Sequence, residues 1–165
     1  CTCSDCTAPT PESVQSAADA ARVFAPLAKL SKDRERFWIL LLDVKNRPIK
    51  RPILISLGSL TASLVHPREV FRPAVRFGAN AIILAHNHPS GDPTPSDEDR
   101  ALTKRLAEAG DLLGIKVLDH VVIGSHAHWH SFAEAGDPHC YQKRASATTP
   151  NARRRAHAQG LARGR

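Results

Sequence analysis

One stretch, AIILAHNHPSGDPTPSDED at residues 81–99, limits most sharply what this chain can become. Its opening residues, Ala81 to Ala85, are all apolar and too few to span a membrane, which predicts a buried strand. The strand runs into His86-Asn87-His88. Alternate residues of a strand share a face, so His86 and His88 project together. Pro89, Gly91, Pro93 and Pro95 follow within seven residues, and neither strand nor helix survives such a run. Ser96 then opens a helix, with Asp97, Glu98 and Asp99 in its first turn. Two imidazoles at a strand end and one carboxylate from the next helix match the three protein ligands of Zn²⁺ sites that keep a place for water. The residues alone leave that acid open among Asp92, Asp97, Glu98 and Asp99.

The rest of the chain predicts a single α/β domain, a size that 165 residues support. Thr10 as N-cap and Pro11 at the first helical position predict a helix to about Leu30. Residues 35–43 read as a strand buried on both faces, and Ile49 to Leu57 as its hairpin partner. Leu60 to Val65 suggests a short third strand. A helix starts at Pro67, with Pro73 predicting a kink or an early end and Gly78 a cap. The helix from Ser96 closes at Gly114. Ile115 to Leu118 and His120 to Ile123 give a strand or strand pair, and His126 to Phe132 a last strand. The domain is set at 11–136; residues 1–10 and the tail 137–165 are expected to be disordered.

The net charge of +7 is uneven. Seven of the 23 cations lie in 143–165, where no acid stands, which leaves 16 of each sign elsewhere. Non-specific nucleic-acid contact is therefore expected from this tail and not from the folded body. No apolar run reaches membrane length, and no leader peptide is recognisable. Cys1, Cys3, Cys6 and Cys140 lack the paired spacing of a structural zinc site. They read as free thiols of a reducing, cytoplasmic compartment.

His86-x-His88, with Ser96 eight residues on and Asp99 three further, resembles the JAMM (JAB/MPN) metallopeptidase signature. The longer wording HNHPSGDPTPSDEDRALTKRL, with GIKVLDHVVIG after it, resembles the RadC-like branch of that superfamily, from about Pro11 to Gly136. The resemblance implies a mixed, curved β-sheet flanked by helices, in the cytidine-deaminase-like JAB/MPN architecture. It implies a metal held by His86, His88 and Asp99, and a stabilising role for Ser96 toward an oxyanion. It implies a glutamate ahead of an apolar strand as general base, which is Glu35, although Trp38 stands where the wider pattern has glycine. Glu69 is the rival base. Ser96 and Asp99 also fit a helix capping box, and one side chain is not expected to serve both cap and metal in full. His120 either orients a ligand or is a buried hydrogen-bonded histidine. His126, His128 and His130 alternate and read as an exposed polar strand face.

The function so implied is a zinc-dependent metallohydrolase of the JAMM type acting on a peptide or isopeptide bond of an unspecified substrate, with a DNA-repair association. The alternative is a non-catalytic, DNA-associated accessory protein with a structural metal. RadC-like proteins carry a helix-hairpin-helix region ahead of this domain, and residues 1–34 show no such pattern. A zinc deaminase is excluded because H-x-E and P-C-x-x-C are missing. The contiguous His-Asn-His is not the dispersed motif of the HNH nucleases.

Overall fold

The computed structural model describes residues 11–30, 33–58, 65–125 and 128–140. Its elements run α1 (Ala17–Lys29), β1 (Arg36–Leu42), β2 (Ile53–Leu57), α2 (Pro67–Arg76), β3 (Ala81–Asn87), α3 (Asp97–Leu113), β4 (Lys116–Ile123) and β5 (Trp129–Ser131). The strands form one mixed sheet in the order β2-β1-β3-β4-β5. Among the described residues only β3 and β4 pair in parallel, and α3 is the crossover that a parallel pair requires. Among the described residues no helix is long and apolar enough to cross a membrane.

Strand parity splits the core into two layers. Phe37, Ile39 and Leu41 of β1 and Ile82 and Leu84 of β3 pack with α2 and α3. Trp38, Leu40 and Leu42 of β1 and Ala81, Ile83 and Ala85 of β3 pack with α1. Both strands are thus covered on both faces, which is why their sequences are unbroken apolar runs. Phe24 of α1 is fully buried, and burial of such a side chain contributes about 1.5–3 kcal/mol. On β3 the even-numbered residues face α3, so His86 is delivered to that side.

Strand β4 carries one irregularity that matters for the site. Ile82 pairs with Val117 but Ile83 pairs with Asp119, so Leu118 is an extra residue. Without it, His120 would face α1. With it, His120 and Val122 turn to the α3 side, while Val121 and Ile123 join the α1 layer. The Asp119 carboxylate secures the bulge, accepting from the His120 N–H at 2.7 Å, the Ser131 hydroxyl at 2.7 Å and the Ala133 N–H at 3.0 Å. The break read at Asp119 in the sequence is therefore a bulge within one strand.

Several expected boundaries move. The first helix starts at Ala17 and not at Pro11, because Ser16 and Asp19 form a reciprocal capping box. Ahead of it, the Val14 N–H donates to the Asn46 carbonyl. Strand β2 is shorter than predicted, with Pro48 contributing only an isolated bridge to Leu42. Pro73 lies inside α2, which ends after ten residues, and Gly78 (φ 63°) follows as the left-handed residue of the cap. Strand β5 has three residues. Beyond Asp137, where little order was expected, a turn leads to Cys140, which is buried against Val122 and Phe132. The third strand suggested at residues 60–65 falls almost wholly outside the described residues, as do the N-terminal segment 1–10, three of the four cysteines and the basic tail 143–165.

Candidate metal centre

The carboxyl end of β3, the start of α3 and the chain entering β1 meet at one point. Glu35, His86, His88 and Asp99 each place one donor atom there, all within 4.8 Å of one another. His86 Nε2 lies 2.9 Å from His88 Nε2 and 3.3 Å from Asp99 Oδ1. His88 Nε2 lies 3.5 Å from Asp99 Oδ2 and 4.0 Å from Glu35 Oε1. Ligands bound ~2.0–2.1 Å from a tetrahedral zinc stand about 3.3 Å apart, close to the separations of His86 Nε2 from His88 Nε2 and from Asp99 Oδ1. Two imidazole nitrogens and a carboxylate suit zinc and other borderline divalent cations.

The loop after β3 orients His88. Its Nδ1 sits 2.7 Å from the Asp92 carbonyl, which can only accept, so Nδ1 carries a proton and Nε2 is directed into the group. The loop itself is held by β4: the Ser125 N–H donates to the Gly91 carbonyl, and Gly124 lets that carbonyl and Pro93 approach where a Cβ would collide. His86 is held from behind by His120, at 2.8 Å, and His120 in turn by Thr103, at 2.6 Å.

Asp99 is 2 % exposed and ionised. Burial works to raise its pKa, but the two imidazoles beside it, His86 and His88, hold the carboxyl well below the usual range. The α3 N-terminus favours the same charge. His88 shifts upward, chiefly through its hydrogen bond with Asp99 and against its own burial. Burial pushes His120 well below the ordinary imidazole range, with the neighbouring His86 acting in the same direction.

The two oxygens of Asp99 divide the work that one side chain was not expected to do. Oδ2 accepts from the Ser96 N–H and hydroxyl, both at 2.7 Å, and completes the capping box. Oδ1 is left to face His86. The Ser96 hydroxyl also accepts from the Asp99 N–H at 3.1 Å, so Ser96 is the N-cap of α3. Ser96→Ala is expected to cost about 1 kcal/mol of stability through the lost cap. Urea denaturation of the metal-free protein measures it, and an unchanged midpoint would refute the capping role.

Glu35 is carried to the rim by a backbone clamp. The Asn87 side chain accepts from the Arg36 N–H at 2.9 Å and donates to the Arg34 carbonyl at 3.0 Å. The Glu35 carbonyl accepts from the Gly58 N–H at 2.8 Å. Glu35 is thus gripped on either side of its Cα. The rival Glu69 lies on α2 paired with Arg68 and Arg72, outside the cluster. Of the other acids considered, Asp92 is engaged with Thr94, while Asp97 and Glu98 are exposed.

Asn87 and Thr103 were missed in the sequence. Thr103 follows Asp99 by four residues and so shares its helix face, a signal that was available. Nothing local announces the grip of Asn87 on a segment more than fifty residues away. His128 is exposed and His130 meets the Phe132 ring edge-on at 5.6 Å; neither joins a metal-ligand cluster among the described residues. Burial pushes the Cys140 thiol up to about 12, which makes it an inert core residue.

A family model described as "RadC-like JAB domain" matches residues 14–137. A UPF0758 protein of Trichlorobacter lovleyi is 61% identical over 103 residues, covering 62% of this chain and 44% of that protein. A UPF0758 protein of Geotalea uraniireducens is 63% identical over 103 residues, with the same 62% and 44% coverage. One from Syntrophotalea carbinolica is 56% identical over 116 residues, 69% of this chain and 50% of the relative. The chain spans half or less of the length of these curated relatives.

Proposed function

Because the chain belongs to the family of RadC-like JAB domains, we propose that it is a zinc-dependent hydrolase of the JAMM type that cleaves a peptide or isopeptide bond. The observation that carries this reading is the convergence of Glu35, His86, His88 and Asp99 within 4.8 Å at the end of the parallel strand pair. His86 and His88, through Nε2, and the Asp99 carboxylate would hold the cation. When bound, such an ion polarises a carbonyl and makes water more acidic.

The remaining chemistry belongs to the chain. Glu35 accepts a proton from the attacking water, whose oxygen bonds to the carbonyl carbon. It returns that proton to the amine as the carbon–nitrogen bond breaks. Ser96, at the foot of α3, supplies a hydrogen bond to the oxyanion by turning its one hydroxyl proton away from Asp99 Oδ2, which the Ser96 N–H continues to hold. The Asn87 clamp holds Glu35 in place through the backbone on either side of it.

The test is metal content by elemental analysis together with amine release from a panel of peptide and isopeptide substrates. Hydrolysis that is lost to a chelator and regained with zinc supports the proposal. A protein that takes up no zinc overturns it, and a zinc-loaded protein that cleaves nothing in the panel overturns its hydrolytic part.

The proton balance of the site gives a further expectation. In the metal-free protein the raised pKa of His88 contributes stability below the ordinary imidazole value, and this is lost as pH rises through the raised one. The depressed Asp99 contributes above the ordinary carboxylate value and loses its contribution only on acidification. Zinc requires His88 without its Nε2 proton, so zinc affinity falls as pH drops below the raised pKa. Across pH 7.5–8.5, above the range in which the buried, neutral His120 adds the opposite slope, thermal denaturation should therefore show stability falling with pH in chelator and rising with pH in limiting zinc. Parallel trends would contradict this account.

A further inference from the structure

We infer that Thr103 and His120 are positioning residues that lock His86 into the tautomer whose Nε2 is bare toward the metal centre. The inference rests on the metal-site reading above, but its geometry is independent of catalysis. Thr103 is fully buried, and its hydroxyl lies 2.7 Å from the Asp99 carbonyl one helical turn back. A carbonyl has no proton to give, so the single hydroxyl proton points there. The same oxygen stands 2.6 Å from His120 Nδ1. With its proton committed, Thr103 can only accept from that side, and His120 Nδ1 must donate.

His120 is fully buried, stacked on Phe132 at 4.9 Å and edge-on to Phe37 at 5.6 Å. With the ring neutral and its proton on Nδ1, Nε2 is an acceptor. It lies 2.8 Å from His86 Nδ1, which must therefore donate. The His86 proton is thus on the ring nitrogen remote from the cluster, and the Nε2 lone pair faces Asp99 and His88. The relay begins at the backbone of Asp99 and ends beside the carboxylate of Asp99. It ties β3, β4 and α3 into one closed circuit around the site, and it exists only because the β4 bulge turns His120 to this face.

The relay predicts a graded response. Thr103→Val keeps the shape but removes the acceptor for His120 Nδ1–H. His120 then gains by moving its proton to Nε2, which drives the His86 proton onto the metal-facing nitrogen. Removal of such an outer partner typically costs ~10–100-fold in metal affinity. Thr103→Ser restores the acceptor and should restore the affinity.

The experiment has two arms. Long-range ¹⁵N–¹H correlation spectra of the metal-free chain read the tautomer directly: His86 protonated at Nδ1 is expected, and a proton on its Nε2 would overturn the relay. Zinc affinity is measured by competition with a chromophoric chelator. Loss in Thr103→Val with recovery in Thr103→Ser supports the inference, and wild-type affinity in folded Thr103→Val overturns it. Should Thr103→Val not fold, the wild-type spectrum decides alone. A wild-type chain that binds no zinc defeats the metal proposal, while the spectrum still judges the relay.

Discussion

Glu35→Gln is expected to leave zinc uptake intact and to slow hydrolysis by roughly 10²–10⁴-fold, the range lost with a general acid–base group. Glu35 is the outermost member of the cluster, 4.0 Å from His88 Nε2, whereas His86, His88 and Asp99 lie 2.9–3.5 Å from one another. The three inner residues suffice for binding, and glutamine keeps the length and shape of the outer one while losing its ability to take a proton. Its backbone grips, from Asn87 and Gly58, do not involve the carboxylate and survive the change. Amine-release kinetics and chelator competition on the same preparation separate the two effects. An unaltered rate would remove Glu35 from the chemistry; lost zinc would make it a ligand.

His88→Ala is expected to abolish the stabilisation that zinc confers. A cation that binds only the folded state adds about 4 kcal/mol when free metal is a thousandfold above its Kd. For a chain of this size that corresponds to a rise of about 10 °C in Tm. His88 is partly exposed at the strand end and contributes little to the core, so the variant should fold without metal. It leaves two inner ligands, and the penalty should exceed the ~10–100-fold typical of an outer partner. Scanning calorimetry with and without zinc makes the comparison. An equal zinc-induced rise in wild type and variant would place the ion elsewhere.

How far the sequence foretold this site follows from how local each signal was. His86, His88 and Asp99 fall within fourteen residues, and strand parity followed by a helix start is enough to bring two imidazoles and an acid-rich turn together. Choosing Asp99 among four acids needed the resemblance, because capping and metal binding make the same demand on sequence. Glu35 likewise came from the resemblance, since its arrival depends on the pairing of Phe37 with His86. His120 was ambiguous for a different reason: simple alternation from Val117 puts it on the wrong face, and only the extra residue at Leu118 corrects the phase. The first helix was misplaced because a proline entry signal at Pro11 outweighed the stronger reciprocal box at Ser16 and Asp19.

The divided carboxylate of Asp99 has a consequence for how the centre behaves in time. Because Oδ2 is fastened by Ser96 whether or not an ion is present, folding itself has already met the entropic cost of aiming Oδ1. An ion entering here would need no rearrangement of Asp99, and its exchange is expected to follow the Nε2 proton of His88.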